Sequence, residues 1–239
     1  MITVKVKHIR SVGVELEGGM CASKLREFKE ALQAEAFKDV YRRLQIGADG
    51  SVNVDLECDS DDDEVYRDLE LKTWVEVERL EQLTGFVKLL WSHGFKQNPT
   101  CGNHIHLKFR NTLYVSIFTI YDAVREYLDA YRKTFGNRSK YLRRMHNNYS
   151  KAIVDEEDIA RNLLDDRYYA INLQSFFKHS ARTLEIRIMP YARNANEYIE
   201  MLTFNLVTVD SIVDRYKGAF RREFELRPIR PSTVEVMEL

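Results

Sequence analysis

Four segments of the chain alternate apolar and ionisable residues with the two-residue period of a β-strand. They are RSVGVELEGG (10–19), RDLELKTW (67–74), TCGNHIHLKFR (100–110) and RTLEIRIMP (182–190). In each segment aliphatic or aromatic side chains fall on one face, and mainly Glu, His, Lys or Arg fall on the other. If these strands share one sheet, its apolar face packs on helices and its polar face collects ionisable groups.

Longer segments carry apolar residues three and four positions apart, which is the spacing of an amphipathic helix. These predicted helices cover about residues 24–43, 76–93, 112–135 and 195–217. Ser23 is the predicted N-cap of the first helix, and Gly94 is predicted to end the second. A further strand is predicted over residues 52–56, and residues 168–174 and 182–189 predict a β-hairpin.

The interleaving of strands and helices, with hairpin-like links, predicts an α+β fold. We expect a mainly antiparallel sheet with helices packed on one face, and a polar face that forms the active site. Residues 1–217 are predicted to form a single catalytic domain. Residues 218–239 are charged and contain Pro228 and Pro231, so they predict an extended C-terminal tail.

Composition narrows the class of protein. The 239 residues carry 36 Lys and Arg against 37 Asp and Glu, so no nucleic-acid partner is expected. No signal peptide and no apolar run of about 18 residues is present, which predicts a cytoplasmic protein without a membrane partner. The three cysteines are an odd number without metal-like spacing, which argues against a disulfide scaffold or a zinc knuckle.

The predicted polar face concentrates candidate ligands of a cation. It would bring together Glu15, Glu17, Glu70, His104, His106, Glu185 and Arg187. So many carboxylates would not ionise cheaply together unless cations lay among them. Carboxylate oxygens suit Mg²⁺, and one or two histidines also suit Mn²⁺. His-x-His alone is weak evidence, because a solvated strand face gives the same pattern.

The same face predicts phosphoryl chemistry. Arg187 lies two residues from Glu185, where it would stabilise the charge that develops on a transferring phosphoryl group. The sequence holds neither a Walker A motif nor a kinase glycine loop, so the sheet and its metals would have to build any nucleotide site.

Three other features have alternative interpretations. The acidic run at residues 59–64 resembles a calcium loop in spacing, but Glu64 replaces the required glycine, so we interpret it as a solvated loop. The basic residues between 137 and 146 fit an exposed loop or a flap that delivers arginines to phosphates. Cys101 fits a reactive thiol or, more often for such a residue, a small buried hydrophobe.

The order of short motifs resembles the amidoligase family, a branch of the glutamine synthetase and γ-glutamylcysteine synthetase superfamily of carboxylate–amine ligases. The motifs are GVELE (13–17), DGS (49–51), LEL (69–71), GNHIH (102–106), INL (171–173) and TLEIR (183–187). The resemblance runs from about Val12 to Asp214. It implies a fold like the glutamine synthetase catalytic domain and makes residues 1–217 an amidoligase-like domain.

The resemblance also implies an activity. ATP would phosphorylate a carboxylate, and an amine would then displace phosphate from the acyl phosphate, so that an amide or isopeptide bond forms. ATP and Mg²⁺ or Mn²⁺ would be the cofactors. The acid and amine, small molecules or peptides, would be the partners, but the sequence identifies neither of them, nor the oligomeric state.

Roles follow residue by residue from the family motifs. The implied metal ligands are Glu15, Glu17, Glu70, His104 and Glu185, with Glu57 as an alternate to Glu70. His106 would contact nucleotide phosphate or substrate, and Arg187 would stabilise the phosphoryl group. Asn172 would contact cofactor or substrate, or would be structural. The implied catalytic residues are Arg187, Glu185 and Glu70.

One departure and two alternatives remain open. Many relatives carry a histidine and a glycine immediately before the last motif, where this chain has Ala181 and Arg182, and the nearest histidine is His179. The residues also fit a metal-dependent hydrolase or phosphoesterase that activates water. A non-catalytic binding protein of the same fold is the third interpretation.

Overall fold

A computed structural model describes residues 5–58, 64–110, 117–145, 150–164, 166–177 and 182–225. Its centre is an antiparallel sheet of six strands. The strands are β1 (Ile9–Cys21), β2 (Gln45–Ala48), β3 (Val65–Glu76), β4 (Gly102–Phe109), β5 (Ile171–Asn172) and β6 (Thr183–Pro190). They lie side by side in the order β2-β3-β1-β4-β6-β5. The predicted α+β class with an antiparallel sheet is confirmed.

The longest strand, β1, lies between β3 and β4, and its alternation decides which residues are buried. Val12, Val14 and Leu16 are at most 1% exposed on the apolar face of the sheet. That face packs on helices α1 (Ala22–Ala31), α3 (Leu80–Ser92), α4 (Ile117–Phe135) and α8 (Ala195–Glu225) in one continuous core. Burial of these side chains drives the sheet and helices together.

The first predicted helix is divided in the structure. It begins at Ala22 rather than after Ser23, and α1 ends at Ala31. A 3₁₀ turn (Glu35–Phe37) and a second helix, α2 (Lys38–Arg43), follow. The division lets Val40 turn inward, where its carbonyl accepts a hydrogen bond from the Thr73 hydroxyl of β3. The predictions of a continuous helix over 24–43 and of a Ser23 cap are therefore wrong.

The strand prediction near residue 50 also differs from the structure. Residues 52–56 form no strand, although Val52, Val54 and Leu56 are buried in a small cluster with Cys101. The strand at this edge is instead β2, which the sequence pattern does not indicate. Most of the acidic run, residues 59–63, lies outside the described residues.

Residues 139–177 hold three short helices that the sequence analysis assigns to loops and strand. They are α5 (Ser139–Met145), α6 (Glu156–Leu164) and α7 (Gln174–Phe177). The predicted hairpin is confirmed in part, because β5 pairs antiparallel with β6, but β5 has only two residues. Lys178 and His179, which lie between the two predicted strands, are outside the described residues.

The second predicted helix is observed as a 3₁₀ turn (Val77–Arg79) followed by α3, and Gly94 follows it with a positive φ of 84°. Gly94 adopts the left-handed conformation that often ends a helix, so the prediction that it ends this helix is confirmed. The fourth helix continues to Glu225, although the sequence predicts that it ends at residue 217. Residues 226–239 lie outside the described residues, so the extended tail stays a prediction.

A disulfide joins Cys21, at the end of β1, to Cys58. This corrects the expectation of a chain without disulfides, because two cysteines 37 positions apart in sequence meet only through the fold. Cys101 is free and buried. Among the described residues, no helix has the length and apolar character needed to cross a bilayer.

Candidate functional site

The strand register aligns the predicted site residues in neighbouring rows across the polar face. Glu15 of β1 lies opposite Lys72 of β3 on one side and opposite His104 of β4 on the other. In the same way Glu17 lies opposite Glu70. His106 lies opposite Glu185 of β6, and Glu185 lies opposite Asn172 of β5. Antiparallel pairing of alternating strands thus gathers residues that are far apart in sequence.

His104 is surrounded by carboxylates. Its Nδ1 lies 3.0 Å from Glu15 Oε2 and 3.7 Å from Glu185 Oε1, while its Nε2 lies 3.7 Å from Glu17 Oε1. His104 is 5% exposed, and Glu17 and Glu185 are 6% and 5% exposed. Removing three carboxylates from water is costly, so this geometry requires positive charge nearby.

His106 offers a ligand atom without a hydrogen-bond partner. Its Nε2 is buried and lies 3.2 Å from Glu15 Oε1, but within the described part of the chain it makes no hydrogen bond. The Nδ1 of the same ring lies 3.4 Å from the Thr183 hydroxyl. One ligand atom each from Glu15, His106 and Glu185 lies within 4.8 Å of the others. Such a group has the donors and spacing to hold a metal ion.

The structure divides the four predicted carboxylates between different partners. One oxygen of Glu17 accepts a hydrogen bond from the backbone amide of Gly102 at the start of β4. Glu70 instead pairs with Lys72, whose Nζ lies 3.0 Å from Glu70 Oε2 and 3.5 Å from Glu15 Oε1. Glu57, the alternate to Glu70, is solvent-exposed in the segment before β3.

Glu185 is held by three donors. Arg187 Nη1 lies 2.5 Å from its Oε1, Asn172 Nδ2 donates to its Oε2 at 2.6 Å, and the Ser175 hydroxyl lies 3.3 Å from Oε2. The Arg187 guanidinium also lies over the ring of Tyr168, 5.7 Å from its centroid. Asn172 therefore orients a carboxylate of the cluster, which gives its amide a positioning role.

Burial and charge change the acidity of these carboxylates in different directions. Burial alone would raise the pKa of Glu15, but interactions with His104 and His106 outweigh it and hold the pKa far below its ordinary value. The pKa of Glu185 is also lowered, because His106, His104 and Arg187 outweigh burial. Burial raises the pKa of Glu17, whose histidine and backbone partners compensate only in part.

The charges leave room for a divalent cation. Glu15, Glu17, Glu70 and Glu185 supply four carboxylates. Lys72 and Arg187 are the cations that pair with them among the described residues. Within the described residues these four carboxylates outnumber the Lys and Arg side chains that form ion pairs with them, and His104 and His106 lie against the same oxygens. Together with the buried His106 Nε2, this donor set fits Mg²⁺ or Mn²⁺.

Two cations at the site have no assigned place there in the sequence analysis, although Arg144 belongs to the basic segment 137–146 that fits either a loop or a flap. Alternation in RDLELKTW puts Lys72 on the polar face but indicates no role for it, whereas in the structure it contacts two of the carboxylates. Arg144 of α5 is only 9% exposed, and its Nε lies 3.4 Å from the backbone oxygen of Arg187. No alternation of apolar and polar residues places Arg144 at the site, because it reaches the site through the packing of the short helix α5 on β6.

The other described residues of the basic segment 137–146 have structural partners or lie on the surface. Arg138 forms a two-point ion pair with Glu200, and Lys140 Nζ lies 2.6 Å from Glu197. Arg143 is exposed. The segment is therefore partly helical, and Arg144 is the arginine of α5 that reaches the site. His146 lies outside the described residues.

The chain matches no known family model, no curated protein and no solved structure. The interpretation of the site therefore depends on its own geometry and on the motifs in the sequence.

Proposed function

We propose that the chain is an ATP-dependent carboxylate–amine ligase of the amidoligase type, with a fold like the glutamine synthetase catalytic domain. One observation carries this proposal. The antiparallel register brings the glutamates of GVELE, the histidines of GNHIH and the Glu-x-Arg of TLEIR to one polar face. The order of these motifs in the sequence resembles that family, and their meeting in space supports the resemblance.

The proposed cofactors are ATP and Mg²⁺ or Mn²⁺. Glu15, His106 and Glu185 are the first candidates to hold a cation, because their ligand atoms lie together. Glu17 and His104 adjoin them, and Glu70 joins this set only if Lys72 releases it. A bound divalent cation would neutralise phosphate oxygens and polarise the group that is transferred.

The chain's own residues would supply orientation and charge. Arg187, held by Glu185 over the Tyr168 ring, presents a guanidinium to the phosphoryl group as charge moves toward it. Asn172 and Ser175 fix the Glu185 carboxylate, so the ligand oxygen keeps its direction. The partners would be a carboxylic acid and an amine, either small molecules or peptides. A cytoplasmic location remains a prediction.

Calorimetric titration of ADP and of a non-hydrolysable ATP analogue, with and without MgCl₂, tests the proposal. We expect binding that requires Mg²⁺ and is lost in Glu17→Ala. The matched control is Glu57→Ala, which removes an exposed glutamate outside the cluster and should leave binding unchanged. Absence of nucleotide binding by the wild type under every metal condition would contradict the proposal.

The same donor set also suits a metal-dependent hydrolase, in which a cation activates water. The His106 Nε2, buried and without a hydrogen-bond partner in the described residues, is the observation that keeps this second candidate. The two activities differ in products. A ligase releases ADP only when both an acid and an amine are present, whereas a hydrolase needs water alone.

A further inference from the structure

A trough runs along β1 on the polar face of the sheet. Residues 11, 13 and 15 alternate onto this face, so that Ser11 and Gly13 form the floor of the trough and Glu15 closes its inner end. The cavity above them measures about 690 Å³, which is within the range of pockets that hold small organic ligands. The trough therefore leads directly into the carboxylate–histidine cluster of the candidate site.

The walls of the trough come from the two neighbouring strands. Trp74 of β3 and His106 of β4 both lie opposite Gly13, and a Cβ on Gly13 would lie 3.4 Å from the Cβ of each. Neighbouring strands are about 4.8 Å apart, so the two walls stand roughly 10 Å from each other. Because glycine carries no side chain, the gap between the walls is wide enough for a flat ring.

Trp74 presents aromatic surface to the trough, because it is 42% exposed on the side of the sheet that carries the cluster. Arg43, the last residue of α2, holds the indole in place. Its Cζ lies 3.7 Å from the ring centroid, and its Nη1 donates a hydrogen bond of 3.4 Å to the Trp74 backbone oxygen. An exposed indole beside a guanidinium offers stacking and positive charge in one place, which suits an aromatic anion.

The trough carries more positive than negative charge. Its lining includes four cations and two carboxylates, namely Arg10, Arg43, Lys72 and Lys108 against Glu15 and Glu76. Both carboxylates already have cationic partners. Lys72 Nζ lies 3.5 Å from Glu15, and Arg10 Nε lies 3.5 Å from Glu76. Neither Arg43 nor Lys108 forms an ion pair with a described residue, so the positive charge that remains in the trough lies on these two side chains.

We infer that the trough binds the organic substrate of the site, an aromatic carboxylate, with its ring against Trp74 above Gly13 and its carboxylate at Arg43. A guanidinium pairs with a carboxylate at two points, and Lys108 on the opposite wall adds positive charge. The reacting group, a second carboxylate or an amine, would then lie at the inner end beside Glu15. The inference rests on the proposed function, because that function determines which group reacts.

Terephthalate is a suitable probe because it carries a planar ring between two carboxylates, and adipate is its counterpart without a ring. We would titrate both calorimetrically, with saturating MgCl₂, into the wild type, Arg43→Gln and Arg42→Gln. Arg42 is the exposed neighbour on the same helix and does not line the trough, so its variant controls for general loss of positive charge. We expect the wild type to bind terephthalate more tightly than adipate. Arg43→Gln should bind terephthalate about tenfold more weakly, and Arg42→Gln should bind it as the wild type does.

Tryptophan fluorescence shows where the probe binds. The chain has two tryptophans, and Trp91 packs against Phe95 and Tyr198 on the apolar side of the sheet. Terephthalate should therefore change the emission of Trp91→Phe, in which Trp74 alone reports, and should leave the emission of Trp74→Phe unchanged. Gly13→Ala keeps both walls but puts a methyl group on the floor. It should bind terephthalate about threefold to tenfold more weakly, while its far-ultraviolet circular dichroism matches that of the wild type.

The outcomes separate this inference from the proposed function. Failure of the wild type to bind terephthalate, equal affinity for terephthalate and adipate, or an affinity that is indifferent to Arg43→Gln would overturn the inference. So would displacement of terephthalate by ADP with MgCl₂, since the trough would then hold the nucleotide base. Terephthalate binding that requires Arg43, in a chain that binds no nucleotide, supports the aromatic carboxylate site and contradicts the ligase. Mg²⁺-dependent nucleotide binding without terephthalate binding supports the ligase and overturns the aromatic carboxylate site.

Discussion

Lys72 connects two carboxylates of the candidate site, with its Nζ 3.0 Å from Glu70 and 3.5 Å from Glu15. An ammonium group in this position competes with a metal ion for the same oxygens. The pKa of Lys72 is raised, because attraction to Glu15 and Glu70 exceeds the effect of burial, so the side chain stays protonated at neutral pH.

We therefore expect Lys72→Met to bind Mn²⁺ more tightly than the wild type, by about threefold to tenfold, because a competing charge is removed. Calorimetric titration with MnCl₂ measures the change. Lys108→Met is the matched control, since Lys108 lies on the same face but forms no ion pair among the described residues. Unchanged or weaker affinity in Lys72→Met would show that Lys72 does not compete with the cation.

Arg187→Ala and Glu17→Ala should fail in different ways. We expect Glu17→Ala to weaken metal and nucleotide binding. Arg187→Ala should retain binding and lower kcat by about 10²- to 10³-fold, because its contact strengthens as charge develops on the phosphoryl group. Nucleotide titration combined with ADP-release kinetics makes the comparison. Equal loss of nucleotide affinity in both variants would refute the role given to Arg187.

Much of this site could be predicted from strand alternation. Glu15, Glu17, His104 and Glu185 share a face because residues two apart in a strand do so, and the antiparallel register then brings them together. The basic segment 137–146 indicates several arginines, but that Arg144 is the one at the site could not be predicted, because its place depends on how a seven-residue helix packs on β6. The Cys21–Cys58 pair is likewise a property of the tertiary fold, to which spacing in sequence gives no guide.

Substitution of alanine for Gly18 and for Gly47 should have opposite effects on stability. A Cβ on Gly18 would overlap the Phe95 ring and lie 2.6 Å from the Lys96 backbone oxygen, whereas nothing lies within 4 Å of a Cβ on Gly47. We expect Gly18→Ala to lower the free energy of unfolding by about 3 kcal/mol. Gly47→Ala in β2 should be neutral or stabilising by up to about 1 kcal/mol. Urea denaturation tests both, and equal effects would contradict the packing described for β1.

The disulfide should contribute to stability in proportion to the chain it closes. Because 37 positions separate Cys21 from Cys58, chain entropy predicts about 3–4 kcal/mol. Urea denaturation with and without dithiothreitol should show a loss of this size in the wild type. The double variant Cys21→Ala/Cys58→Ala should be indifferent to the reductant. A wild type that is equally indifferent, with all three cysteines found as free thiols by mass spectrometry, would refute the bond.

A pair outside the site should make stability depend on pH. Lys140 Nζ lies 2.6 Å from Glu197, and both side chains are largely buried. Burial would raise the pKa of Glu197, but hydrogen bonds from Arg193 and Lys140 outweigh it and lower the pKa in the folded state. Because the pKa of Glu197 is lower in the folded state than in the unfolded state, its ionisation stabilises the folded protein at any pH above the unfolded-state pKa. This stabilisation is lost as the pH falls through the folded-state pKa.

We expect Glu197→Gln to be about 2 kcal/mol less stable than the wild type at pH 7, because it leaves Lys140 without its carboxylate. The difference should shrink as pH falls below about 4, where protonation removes the same charge from the wild type. Thermal denaturation from pH 7 to pH 3 measures it. A constant difference across that range would refute the linkage.

The central place of β1 in the sheet has a consequence for how the chain folds. Glu15 meets His104 across 89 positions of sequence, and His104 meets Glu185 across a further 81. Pairings of this length close large loops, so they tend to form slowly. No local fragment of the chain can hold the complete acid–histidine arrangement. A ligand that contacts the complete arrangement therefore binds only the fully folded protein. Such a ligand increases the population of the folded state by mass action.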